Sequence, residues 1–556
     1  MTSLDYIVLF GYFILITGFG IWISGRIRSS DGYFRGERKF RWWVMIGQAF
    51  GVGTHAEMPV AQTGATFSNG FATIWYQWKN MLITPFYWLI APFYRRSERT
   101  TVGEIIEDRY GSGMGLAYSV FAISFFILSM GVMLQGAAKV ISVASGNLIS
   151  PNMVVLLMTI AFLIYSFIGG LIAAAYTDFI QSFLIITLSV LLIPLGLREI
   201  NGFSGMREVL PDNFFDLFNS ASGIDAFTIA MLAVNGIVGI TAQPHMVSMC
   251  ATGNTERAGR VGQTFGSLVK RLITIGWALT GLVVAAMVIK SNVTLPDPEM
   301  AFGYACNVLL MPGLVGLMLA AIVASNMSSC SNFMVNTGAL FTQNFYKKYV
   351  NPSAEDKKLL WVGRYSGLGL SILAVLFALS VKNVLHAFLF VETLAAFMGI
   401  IFLGGVIWKR ATRYGAGAAV LVSFIVYYIY NIILNGDLRL VYNWEPGPFG
   451  MSMLTGFFAF WLVSVLTRPE DPVKMEQFFD NMRRKSDSLS VDVDGKKPLA
   501  SKSGEDLLLL DLPGWVKKER RKDFFKRYRE DLVGFLLSWM VVGILILLAW
   551  GIMQIR

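Results

Sequence analysis

Residues 49–64 read AFGVGTHAEMPVAQTG. The flanks, WWVMIGQ before and ATFSNGFATIW after, are apolar enough to enter a bilayer. The centre carries Gly51, Gly53, His55, Glu57 and Pro59. Two glycines and a proline interrupt the bonding that a membrane-spanning helix depends on. A glutamate at that depth needs a partner or a proton, because hydrocarbon solvates neither free backbone nor charge. The stretch is either a spoiled helix or a built interruption, and the rest of the chain decides which.

The chain has 556 residues, 55% of them hydrophobic and only 15% charged, where a soluble chain carries about 25%. Apolar runs long enough to cross the hydrocarbon core recur along nearly its whole length, and the sequence predicts an all-α polytopic membrane protein. About fourteen spans are expected, near 4–25, 42–67, 73–94, 116–145, 152–174, 178–198, 227–250, 266–290, 307–342, 364–381, 386–408, 415–435, 449–467 and 532–554. The first run lacks a basic stretch before it and a small-residue cleavage site after it, so it is read as a retained helix. Cys250, Cys306 and Cys330 have no paired spacing and suggest neither a disulfide framework nor a metal site.

The net charge of +10 follows topology. Basic residues crowd the odd-numbered loops, in GRIRSSDGYFRGERKFR, YRRSERTTVGEIIEDRYG, TGNTERAGR, YKKYVNPSAEDKK and WKRATRYG, while the even-numbered loops carry few. The positive-inside rule then places both termini outside and the odd loops inside. A plasma membrane, most simply a bacterial inner membrane, is the expected setting, and nucleic acid is not an expected partner. The long insert at 468–531 should be cytoplasmic. Its end, DLLLLDLPGWVKKERRKDFFKRYRED, fits a basic helix on an anionic membrane surface or a solvated charged linker.

A second span, FTIAMLAVNGIVGITAQPHMVSMC, is interrupted near Gly236, Gly239 and Pro244. These two spans open two blocks of five, and matched interruptions in two halves point to a carrier's midplane site. Taken singly, each would equally fit close packing at glycines and a kink at proline. In LAAIVASNMSSCSNFMVNTGALFT, Ser325, Ser328, Ser329, Asn332 and Asn336 recur at helical spacing and make one polar stripe. Uncharged oxygens of this kind suit a desolvated monovalent cation; bonding of the hydroxyls back to their own helix is the plainer alternative. Ionisable residues inside spans are Glu57, Lys79, Lys270, Arg271 and Glu392, with His55 and His386 beside them. Lys79 and Arg271 are long enough to snorkel, whereas Glu57 is too short. Asp178 opens the sixth span as either a helix cap or a functional carboxylate.

Together these pieces resemble the sodium:solute symporter family of LeuT-fold carriers, which includes the sodium/proline and sodium/galactose symporters. DGYFRGERKFRWW resembles its first inside loop, GGLIAAAYTDFIQ its TD-containing segment, and AQPHMVSMCAT a QPH-type stretch of the proline branch; LAAIVASNMSS, GRYSG and IWKRATRYGA also match. The resemblance implies a LeuT-type 5+5 inverted repeat and Na+ as coupling ion. It implies a sodium site made by the carbonyls of Gly51, Thr54 and Ser325 and the hydroxyls of Ser328 and Ser329. Asp178 falls on an aspartate that serves a second sodium in some members. The chain departs from the proline type at Gly53, Gly236 and Ile240, and from the galactose type at Gln77 and Met58.

The expected layout is an extra helix and basic loop at 1–41, a first repeat at 42–198, an extracellular loop at 199–226 and a second repeat at 227–414. Two further helices at 415–467, the cytoplasmic insert at 468–531 and a last helix at 532–556 complete it. The expected function is sodium-coupled import of a small polar solute, carboxylate, amino-acid-like or sugar-like, by alternating access. No enzymatic activity and no obligate protein partner is expected. Solute contacts are assigned to His55, Glu57, Met58, Gln77, Asn80, Gly236, Ile240, Gln243 and Lys270, with Lys79 nearby. A solute sensor on a carrier fold and a proton-coupled carrier are the alternatives.

Overall fold

The structure is a computed structural model and describes residues 1–24, 40–51, 55–99, 101–168, 171–219, 223–483, 507–510, 515 and 523–555. Its regular elements are helical: α1 (Ser3–Ser24), α2 (Trp42–Gly51), α3 (Glu57–Asn69), α4 (Trp75–Arg96), α5 (Val102–Tyr110), α6 (Ser112–Ala144), α7 (Pro151–Ile168) and α8 (Leu171–Ile200). After a loop come α9 (Ala226–Ile240), α10 (Met246–Ala251), α11 (Glu256–Lys290), α12 (Ala301–Leu309) and α13 (Leu314–Leu340). The chain closes with α14 (Asp356–Ser380), α15 (Val384–Ile407), α16 (Arg413–Asn435), α17 (Pro446–Leu466), α18 (Pro472–Arg483) and α19 (Arg529–Met553). Among the described residues nine helices are long and apolar enough to cross a membrane.

Several expected limits move. Gly169 and Gly170 lie outside the described residues, α7 stops at Ile168 and α8 already begins at Leu171. Asp178 therefore does not open a helix; it lies about two turns inside α8, and its side chain is outside the described residues. The expected ninth span loses its start to α12 and a turn, and α13 begins at Leu314.

The packing pairs the two blocks by exchange. The broken helix α2/α3 lies on α11, and α9 lies on α4; likewise α6 packs on α14, and α13 on α7. Helices α2, α3 and α4 gather about α11, with α9 packed on α4, and α6, α7, α13 and α14 form a second group, with α8 and α15 touching both. Close approach along α11 depends on glycine. A Cβ at Gly266 would lie 2.7 Å from the Ile46 carbonyl oxygen, and one at Gly281 would lie 2.7 Å from that of Thr63. With no hydrophobic force between helices in lipid, such small-residue contacts carry the association.

Charges concentrate at the end where the basic loops lie. Arg95 donates to the carbonyls of Ala251 and Gly253, each at 2.7 Å, and Arg96 pairs with Glu256 at 2.8 Å. Arg260 joins Glu256 at 3.2 Å and also pairs with Asp531 at the start of α19. The Leu508 amide donates to the same Asp531 carboxylate at 2.8 Å, and Leu508 packs with Trp88, Leu89 and Tyr528. Residues 507–510 of the insert are thus tucked against α4 and α19, and the basic stretch expected at a membrane surface falls largely on residues 511–514 and 516–522, outside the described residues.

Candidate functional site

The first interruption separates α2, which ends at Gly51, from α3, which starts at Glu57. Val52, Gly53 and Thr54 lie outside the described residues, and so does the expected Thr54 contribution to a cation site. Pro59 sits in the first turn of α3, where its missing N–H costs nothing. His55 and Ala56 are buried between the two half-helices.

Across from the break stands α13. The Ser329 hydroxyl meets His55 Nδ1 at 3.1 Å, and the Ala56 amide donates to Asn326 Oδ1 at 3.4 Å. Asn326 in turn donates to the Met133 carbonyl at 2.8 Å, which fixes its amide between α6 and the break. Ser325, Ser328 and Ser329 are all buried, and the Ser328 hydroxyl has no hydrogen-bond partner among the described residues. That undercuts the plainer account of Ser328 as a residue bonding back to its own helix. Asn332 and Asn336, at the far end of the stripe, are only half-buried and bond to each other at 3.3 Å.

The second interruption lies further along than the glycines suggested. Helix α9 runs unbroken through Gly236 and Gly239 and ends at Ile240; the non-helical stretch is Thr241 to His245, around Pro244. Both glycines serve packing. A Cβ at Gly236 would lie 2.1 Å from Ile83 Cδ1 on α4, and one at Gly239 would lie 3.1 Å from the Glu392 carbonyl on α15. The break frees the carbonyls of Thr241 and Ala242, and two tyrosines take them up, Tyr94 at 2.7 Å and Tyr118 at 2.5 Å. Ile240 and Gln243 are buried beside it.

Between the breaks, Glu57, Gln77, Asn80 and Lys270 are buried and Met58 is half-buried. Glu57 Oε2 and both amide atoms of the Gln77 side chain have no hydrogen-bond partner among the described residues. Glu57 and Lys270 feel each other electrostatically without forming an ion pair. Lys79, by contrast, does not snorkel and does not stand free. It is fully buried, pairs with Glu392 and donates to Asn235 Oδ1 at 3.2 Å. Asn80 donates to the other Glu392 oxygen at 3.4 Å, and Asn235 to Thr393 at 3.1 Å. A buried charge is tolerated when paired and bonded in this way.

Asn326, Asn235 and Thr393 were not picked out from the sequence. Asn326 lies one residue off the serine stripe, about 100° around the helix, so a periodicity filter passes over it. Asn235, adjoining Gly236 in an otherwise apolar span, was the available signal for the Lys79 network.

The Glu57 backbone is held against α6 by Gly136, where a Cβ would lie 2.7 Å from the Glu57 Cα. Gly136→Ala is expected to cost about 1–3 kcal/mol by overpacking. A lowered thermal midpoint of the purified protein checks this, and an unchanged midpoint would show that the contact yields.

The model of the sodium:solute symporter family matches residues 33–423. The high-affinity proline transporter PutP of Bacillus subtilis (strain 168) is 28% identical over 446 residues, covering 75% of this chain and 88% of that protein. The sodium/glucose cotransporter of Vibrio parahaemolyticus is 25% identical over 465 residues, covering 76% and 84%. Among solved structures, the substrate-bound outward-open state of a Na+-coupled sialic acid symporter superposes with a TM-score of 0.69 at 20% identity, over 84% of this chain and 99% of the other.

Proposed function

Because the chain belongs to the sodium:solute symporter family, carriers and not enzymes, and imports its solute with sodium, we propose which of its residues hold the ion and the solute. Sodium sits between the first break and α13. Its ligands are the carbonyls of Gly51, Thr54 and Ser325 and the hydroxyls of Ser328 and Ser329. The observation that carries this is the buried Ser328 hydroxyl, unbonded in the fold and on the helix whose neighbouring residues already bond the break. Asp178 is the candidate for a second ion.

The solute lies between the two breaks, against His55, Glu57, Met58, Gln77, Asn80, Ile240, Gln243 and Lys270, with Gly236 behind them as packing. Glu57 and Gln77 supply polar atoms that the fold leaves unbonded, and Lys270 adds a buried ammonium, which suits a carboxylated or polyhydroxylated compound. Lys79 acts through Asn80, which shares its Glu392 partner. Both termini face outside and the basic loops face the cytoplasm of a bacterial inner membrane.

Sodium binding ties the α2/α3 break to α13 and favours the outward-open state. Solute binding then lets the group around α11 rock against the group around α13. In the inward state the ion's ligands separate and sodium leaves. The ion drives this only through its different affinity for the two states.

A solute library tested in proteoliposomes checks the proposal. A carboxylated or polyhydroxylated solute is expected to accumulate under an inward sodium gradient, and Lys270→Met to weaken its half-saturation at least tenfold. Accumulation driven by a pH gradient in sodium-free medium would overturn it.

A further inference from the structure

Nearly every basic side chain buried in this bundle has its charge met. Among the described residues Lys79, Lys139, Arg96 and Arg260 are paired with carboxylates, and Arg95 and Arg109 spend their donors on backbone carbonyls. Lys270 and Arg271, consecutive on α11, are the exceptions, and both are buried. The Arg271 guanidinium makes one hydrogen bond among the described residues, to the Gln77 carbonyl at 3.2 Å, and its Nε has no partner. Arg271 lies more than about 20 Å from either end of α11, so it does not snorkel.

The place of that guanidinium is set twice. Trp78 on α4 donates its ring N–H to the Arg271 carbonyl at 3.2 Å, while Arg271 bonds the carbonyl of the preceding residue, Gln77. The side chain of that same Gln77 is one of the unbonded groups of the solute region. Lys270, about 100° around the helix, feels Glu57 on α3.

The charges of this region do not cancel. Lys79 and Glu392 offset each other, which leaves Lys270 and Arg271 against Glu57, two cations to one carboxylate. Asp178 does not restore the balance. It stands fifteen residues before Ile193 on α8, which faces Gly276 on α11, whereas Arg271 is only five before Gly276. The two helices run the same way, since Gly196 meets Val283 further on, and Asp178 is therefore roughly 15 Å nearer the basic loops. A strut between α4 and α11 needs one donor, which an uncharged glutamine supplies. An unpaired guanidinium is far costlier to bury, and its planar fork matches a carboxylate.

We propose that Arg271 is the anion-recognising residue of the solute site. With Lys270 it takes the carboxylate of a hydroxylated acid of net negative charge, and Glu57 and Gln77 meet the hydroxyls. The proposal rests on the solute site described above and narrows its occupant. A neutral polyol leaves the excess cation uncompensated. So does a zwitterion, whose ammonium offsets Glu57 while its carboxylate offsets only one of the two cations.

Matched sets test this in proteoliposomes of the full chain under an inward sodium gradient: glycerate, serine and glycerol, then gluconate, glucosaminate and glucitol. Within each set the acid, the zwitterion and the neutral polyol share a skeleton. The acid is expected to show a half-saturation at least tenfold lower than its zwitterion or polyol. Arg271→Gln keeps a donor for the Gln77 carbonyl but not the charge; it is expected to stay monodisperse and to shrink that preference at least tenfold. Arg271→Lys keeps the charge without the fork and is expected to fall between. A strut alone would change the maximal rate or the thermal midpoint and leave the preference intact. Uptake that favours the zwitterion or the polyol in the parent, or an unchanged preference in monodisperse R271Q, would overturn the anion role and leave the solute site standing. The same rule applies to any other library solute that accumulates. If no solute accumulates with sodium, the solute site falls and the anion role with it.

Discussion

Lys79→Met is expected to leave little folded protein. The substitution keeps the volume of the side chain but leaves Glu392 as an unpaired carboxylate among α4, α9 and α15, and breaking a buried pair from one side costs about 3–5 kcal/mol. That is a large share of the net stability of a folded domain. Glu392→Met should do comparable harm from the other side, stranding a fully buried ammonium. The double variant K79M/E392M removes both charges and is expected to recover a monodisperse, cooperatively melting protein. Size-exclusion profiles and thermal midpoints of the three variants in detergent decide the matter. A single variant that melts with the parent would show that the pair is not made in the folded protein. Uptake by the double variant then asks a second question. The Asn80 amide and the Asn235 amide lose the partners that aim them, so a folded double variant with impaired uptake assigns the pair a role in positioning Asn80.

The second large effect is expected at Ser328. Its hydroxyl is buried and unbonded in the fold, so Ser328→Ala removes no hydrogen bond from the protein and should leave the thermal midpoint unchanged or slightly raised. If that hydroxyl is a sodium ligand, the sodium concentration for half-maximal uptake should rise at least tenfold, equivalent to about 1.4 kcal/mol of lost ion binding. The combination is diagnostic. A packing serine changes stability and spares the ion, whereas a ligand does the reverse. Unaltered sodium dependence with intact folding would remove Ser328 from the site.

Much of this was legible in the sequence, for identifiable reasons. The apolar runs and the loop charges respond to the bilayer, a solvent whose demands are written into composition. The first break was legible because Gly51, Gly53 and Glu57 each violate those demands within a few residues. The second was half legible. Pro244 marks it, but Gly236 and Gly239 serve close packing, and a glycine for packing looks the same in sequence as a glycine for unwinding. The Lys79–Glu392 pair was not legible as a pair, since its members lie on separate spans and only the fold brings them together. Asn326 escaped because its role depends on a backbone amide across the site, which no side-chain pattern records.

The glycine-lined seam of α11 bears on what the break in α2/α3 is. Both halves of the interrupted rod are bound along the same unbroken helix, as a cracked beam is bound to a splint. The two halves and their splint therefore make one body, so any movement of α11 carries both sides of the crack with it, and the wall that can slide past them is the one α13 belongs to.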